Sequence, residues 1–176
     1  ARVLEEAGLK LDPRINRHVG QGTASKVIWF QNMYLELAWI EDAKLARDVS
    51  QAGLGTDLVT RSVWKHSEAS PFGVGLHFKP GRSLPPFPTR DYSAEWMPAG
   101  TVIKVASAPQ MSEPVIFIVP AEFQVKPMDQ WAPEEKKRLL ARSTHSLSMQ
   151  QLTEARVTVT RDPSTSETME ALRSMG

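Results

Sequence analysis

The chain has 176 residues, 41% of them hydrophobic and 23% charged, with 21 Lys plus Arg against 20 Asp plus Glu and a formal net charge of +1. That length and apolar content suffice for a packed core and exclude a disordered polymer, and the near-neutral balance gives no electrostatic footprint for nucleic acid. Cysteine is absent, which excludes disulfides, thiolate nucleophiles and cysteine-bearing metal sites, and no apolar run approaches the roughly 20 residues of a bilayer-spanning helix.

Residues 2–8 read as the end of a helix, with Val3, Leu4 and Ala7 on one side and Gly8 as the stop. Residues 9–17 read as a connection and short strand, where Pro13 permits only an edge or irregular stretch. Residues 18–25 form a turn-rich crossing. Residues 26–30 and 33–40 are the clearest strands, joined by a turn at Gln31 and Asn32. Strand parity puts Leu35, Leu37 and Trp39 on one face and Tyr34, Glu36, Ala38 and Ile40 on the other. It likewise separates Val27 and Trp29 from Lys26, Ile28 and Phe30. Both faces are mostly apolar, which predicts a sheet covered on both sides or curled around a pocket. Glu36 is the conspicuous polar residue. Asp42 then caps a short helix carrying Leu45, Ala46 and Val49.

Residues 51–70 lack continuous periodicity and read as a link. Residues 72–78 resume as a strand on which Gly73, Gly75 and His77 share a face, leaving room for a ligand or for neighbouring side chains. The Pro-rich stretch 80–98 excludes a regular helix. Strands follow at 101–106 and 114–119, then a helix after Trp131 with Pro133 in its first turn. Residues 155–161 read as a further strand, and Ser164 with Glu167 forms a capping-box pattern for a final helix.

The run His18-Val-Gly-Gln-Gly-Thr-Ala-Ser-Lys-Val-Ile-Trp-Phe, followed by Met33-Tyr-Leu-Glu-Leu-Ala-Trp-Ile, resembles the glyoxalase-like domain group of the vicinal-oxygen-chelate superfamily. Leu4-Glu-Glu-Ala-Gly-Leu is similar to the helix end of that family's first module. The resemblance is strongest over residues 18–40 and weaker over 72–123, where Trp96-Met97-Pro98 and Pro114-Val-Ile-Phe-Ile-Val are its echoes. It implies an α+β fold of paired βαβββ modules curled into a cup. The first module spans residues 1–50 and lacks its opening strand, 51–71 is a linker, and 72–130 is a diverged second module. Residues 131–176 add a helix, a strand and a helix, as the start of a third module or as sheet completion. On this reading the chain is the interior of a longer pattern.

The same resemblance places Glu36 at a carboxylate position that commonly binds metal. Glu36 and His77 are the catalytic candidates, meeting across the cup, and His18, Tyr34 and Trp96 the substrate-binding ones. Each has a plainer alternative: a satisfied structural carboxylate for Glu36, packing or local hydrogen bonds for the histidines, and aromatic core packing for Tyr34 and Trp96. Gly20 and Gly22 read as a structural turn rather than a phosphate loop, and His66 and His145 as surface or packing residues. A full metal-ligand set is not recoverable, so a divalent metal is an open cofactor. The expected function is binding of a small carbonyl- or oxyanion-bearing molecule, with enzymatic chemistry uncertain. The alternatives are a metal-dependent lyase, isomerase or dioxygenase, and a noncatalytic binding or dimerisation module. Expected partners are a small-molecule ligand and a second copy in a homodimer, without nucleic acid or membrane; a soluble, cytoplasmic location is the default.

Overall fold

The computed structural model describes residues 1–53, 56–78, 84–107, 110–158 and 166–174. The N-terminal helix α1 (Arg2–Glu6) ends where Gly8 takes a positive φ of 85°, as the Gly8 stop predicts. Three antiparallel strands follow in the order β1 (Asn16–His18), β2 (Thr23–Trp29) and β3 (Tyr34–Ile40). The turn at Gln31 and Asn32 is closed by the Phe30 amide donating to the Met33 carbonyl at 2.8 Å. The Asn32 side chain then exchanges two hydrogen bonds with the Leu152 backbone, at 2.9 and 3.1 Å.

The two faces of this sheet divide as parity requires. Ile28, Phe30, Leu35 and Leu37 pack with Leu4, Leu9, Leu11 and Leu152 in one apolar cluster. The register, with Val27 opposite Glu36 and Ser25 opposite Ala38, puts Glu36 on the other face. Beyond β3, Asp42 accepts from the Lys44 and Leu45 amides and starts α2 (Ala43–Gln51). Gly22 fixes that corner. Its φ is +65°, and a Cβ there would lie 2.6 Å from both the Ala46 nitrogen and the Asp42 carbonyl.

The stretch read as a link contains two short helices, α3 (Leu58–Ser62) and α4 (Trp64–Ser67). Their cause is polar rather than periodic. Asp57 accepts from the Thr60 amide as an N-cap. The buried Arg61 donates to the carbonyls of Thr56, Ser70, Met111 and Glu113, tying α3 to two later segments.

The second sheet has the order β4-β7-β6-β5, from β4 (Gly73–Leu76), β5 (Thr89–Tyr92), β6 (Ile103–Ala106) and β7 (Val115–Ile118). β4 runs parallel to β7, and the other pairs are antiparallel. β5 falls inside the Pro-rich stretch, where prolines mask the pattern but still permit an edge strand. One face of this sheet packs Ile116, Ile118, Ala106 and Phe87 beneath Met169, Ala171 and Leu172 of the final helix, α6 (Glu167–Ser174). The other holds Ile103, Val105 and Val115 against Met97, Trp96 and Phe123. The helix α5 (Pro133–Arg142) starts with Pro133 in its first turn, as expected. The α6 start differs in detail: Ser166 Oγ accepts from the Met169 amide at 3.3 Å, while Ser164 lies outside the described residues.

The α+β class therefore holds, but the cup does not. The strands form two separate open sheets, each running from one edge strand to another without closing on itself. Among the described residues β3 is left as an edge where the curled arrangement needs a further strand. Residues 155–158 do not supply it, being outside any strand, and 159–161 lie beyond the described residues. The paired, curled βαβββ modules implied by the family resemblance are thus replaced by a three-stranded meander and a mixed four-stranded sheet. The glyoxalase-like assignment loses its architectural basis.

Candidate functional site

The polar face of the first sheet gathers three of the residues singled out from sequence. The Ser25 hydroxyl donates to Glu36 Oε1 at 2.5 Å. His18 presents Nε2 to the same oxygen at 3.7 Å, while its Nδ1 meets Thr23 Oγ1 at 2.8 Å. β1 and β2 make this arrangement. His18 lies opposite Thr23, and the alternation of β2 brings Thr23 and Ser25 to the Glu36 side.

Burial raises the Glu36 pKa, but the contacts from His18 and Ser25 outweigh it and hold the carboxyl below its ordinary value. Glu36 is consequently an anion at neutral pH. Its side chain retains 40% of its accessible surface, against 16% for His18. Both partners converge on Oε1, and among the described residues no hydrogen bond reaches Oε2. Tyr34 is on the same face, its ring 5.5 Å from Trp29. Burial, with the Glu36 charge adding to it, pushes the Tyr34 phenol up to about 12, so it keeps its proton.

Trp96 reaches this face from the connection between β5 and β6. Its ring lies 4.9 Å from His18 and stacks on Phe123 at 5.9 Å. Its indole Nε1 is buried and forms no well-aligned hydrogen bond, although it acts on the Tyr92 phenol. His77 is elsewhere. It follows β4 on the face shared with Val115 and Phe117, is exposed, and forms no ion pair with Glu36. Partial desolvation lowers its pKa. The room left by Gly73 and Gly75 is taken by the Phe117 ring: a Cβ on Gly75 would come 3.0 Å from Phe117 Cε2 and 2.5 Å from Val119 Cγ2.

Thr23 and Ser25 are the site residues that sequence reasoning passed over. They were missed because residues 18–25 read as a turn-rich crossing, whereas β2 already begins at Thr23, and alternation from there puts both on the face of Val27 and Trp29. His145 is a buried packing residue: its Nδ1 accepts from the Lys10 amide at 2.9 Å and its Nε2 donates to the Trp29 carbonyl at 3.0 Å. Among the described residues no three His, Asp or Glu side chains are grouped to hold a metal ion, and no helix is long and apolar enough to cross a membrane.

The arrangement suits recognition better than proton transfer. A carboxylate with a lowered pKa is a weak base, and both His18 nitrogens already face protein oxygens. No family model matches the chain, and neither a curated protein nor a solved structure matches it.

Proposed function

We propose that the Glu36 face binds a small molecule through a hydrogen-bond donor, an ammonium or hydroxyl group, without transforming it. The supporting observation is the one-sided occupancy of the carboxylate. Ser25 and His18 both approach Oε1, leaving Oε2 of an anionic, partly exposed group beside the Tyr34 ring. A charged donor gains most from such an acceptor, and the Tyr34 and Trp29 rings offer an apolar wall for its body. An oxyanion would meet like charge at Glu36, so the ligand class shifts from the carbonyl- or oxyanion-bearing one expected at first to a donor-bearing one.

Ligand-observed NMR with benzylamine, benzyl alcohol and benzoate tests this reading. Benzylamine is expected to bind most strongly to the wild type and to lose at least fivefold in affinity in Glu36→Gln, with benzoate weakest throughout. Benzoate binding as well as benzylamine, or no response of benzylamine to Glu36→Gln, overturns it.

A further inference from the structure

The Glu36 face carries a second charged end. Trp29 stands opposite Tyr34 and one diagonal step from Glu36, roughly 7–8 Å between Cα atoms, so the three side chains share that face. Trp29 Nε1 donates to Asp12 Oδ2 at 2.9 Å, which brings the buried Asp12 to the indole. Two guanidiniums meet this one carboxylate. Arg14 donates to it from Nε at 3.2 Å and from Nη2 at 3.3 Å. Arg142, the last residue of α5, brings Nε to 3.6 Å and sets its Cζ 5.7 Å from the Trp29 ring centre. Among the described residues Asp12 is the one acid within ion-pair reach of either guanidinium, so the group keeps a net positive charge.

Arg142 carries that excess. Arg14 takes both Asp12 oxygens, and Oδ2 accepts from Trp29 as well. The Arg142 contact is longer, and its side chain keeps 39% of its accessible surface. Among the described residues no hydrogen bond engages its Nη1 or Nη2, and such a fork matches a carboxylate bidentately. The two rings join this end to the other. Arg142 sits over Trp29, the Trp29 and Tyr34 rings are 5.5 Å apart, and Tyr34 lies near enough to Glu36 to feel its charge.

Resting on the reading of Glu36 as the acceptor of a donor group, we propose that the ligand of this face is a zwitterion: its ammonium meets Glu36, its carboxylate meets the Arg142 fork, and an apolar body about one ring long lies along Tyr34 and Trp29. The two ends are unequal. Asp12 offsets one of the two guanidiniums and solvent screens the other, so a lone carboxylate such as benzoate is held weakly. Tethered to an ammonium already on Glu36, the same carboxylate arrives at high effective concentration.

Ligand-observed NMR titration of the full chain with 4-(aminomethyl)benzoate, its methyl ester and benzylamine separates the two ends. The zwitterion is expected to bind the wild type about fivefold more tightly than the ester, the worth of one partly exposed charge contact. In Arg142→Gln that ratio is expected to fall to about one, whereas Arg142→Lys keeps part of it. Each ratio is taken within one protein, so a general loss of fold or site cancels from it. About 0.5 M sodium chloride is expected to lower the wild-type ratio. A wild-type ratio near one, or a ratio that survives in Arg142→Gln, overturns the zwitterion, while a benzylamine response to Glu36→Gln leaves the donor-group reading standing. Benzylamine and zwitterion both indifferent to Glu36→Gln, or neither binding at all, overturns the two together.

Discussion

Ser25 and Glu36 sit diagonally across β2 and β3, and the fully buried serine hydroxyl is bonded to a carboxylate that remains partly in solvent. The pair thus joins a buried and a solvent-facing position of the same face. Glu36 is held by Ser25 along its own face and by His18 at the side, and the His18 ring rests on Trp96 from the β5–β6 connection.

Removing the Ser25 contact is expected to be felt in both stability and titration. Ser25→Ala loses a hydrogen bond to a charged acceptor, which costs about 1 kcal/mol once solvent screening of Glu36 is allowed for. The Glu36 pKa is expected to rise toward its ordinary value of 4.5. Urea denaturation and NMR titration of the Glu36 carboxyl measure the two effects. An unchanged Glu36 titration would show that Ser25 does not hold the anion.

The acid limb of stability has identifiable sources. Burial pushes Asp12 up, but the Arg14 backbone and side chain and the Trp29 indole more than compensate, so its pKa is lowered. Asp57 is lowered in the same way by Ser50 and Thr60, and Glu36 by His18 and Ser25. In each case the unfolded chain takes up protons first as pH falls. The stability is therefore fully present above the unfolded values of 3.8 for Asp and 4.5 for Glu, and is lost as pH drops through the lower folded ones. At the alkaline end, Tyr34 titrates at about 12 in the fold against 10.0 ordinarily, so its contribution is lost between those values. Thermal melts across pH are expected to fall at both ends. Asp12→Asn should flatten the acid fall and Tyr34→Phe the alkaline one; unchanged profiles would refute these assignments.

Arg61 is expected to be irreplaceable by lysine. Its Nη1 donates to Ser70 and Glu113 at 2.7 and 2.9 Å, and its Nε to Thr56 at 3.2 Å, directions that one ammonium cannot reproduce. Stranding even two buried carbonyls costs about 2–4 kcal/mol. Chemical denaturation of Arg61→Lys should show a loss of that size, whereas a loss under about 0.5 kcal/mol would mean that water or lysine replaces the guanidinium.

The legible parts of the fold were those governed by a local rule. The hairpin around Gln31 and Asn32, the division of β3 between Leu37 and Glu36, the Asp42 cap and the Pro133 helix start all follow from neighbours a few residues apart. α3 and α4 were hidden because Arg61 stabilises them through carbonyls up to 52 residues away. β5 was hidden by surrounding prolines. The cup failed because a family pattern in residues 18–40 fixes a hairpin, not how that hairpin closes on other strands. At the site, parity found Glu36, and β1 pairing brings His18 to it. His77 stands apart because it belongs to the second sheet, and the space beside Gly75 is filled by Phe117 and Val119.

His145 bonds to the Trp29 carbonyl across 116 positions of sequence. At a synthesis rate of roughly 5–20 residues per second, the β2–β3 hairpin therefore waits on the order of ten seconds for the residue that secures its end. Phe30, which meets the His145 ring at 5.0 Å, stays without that cover for the same interval. The nascent hairpin thus carries its end uncapped for most of the chain's synthesis, and a slowed ribosome between residues 40 and 145 would lengthen that exposure.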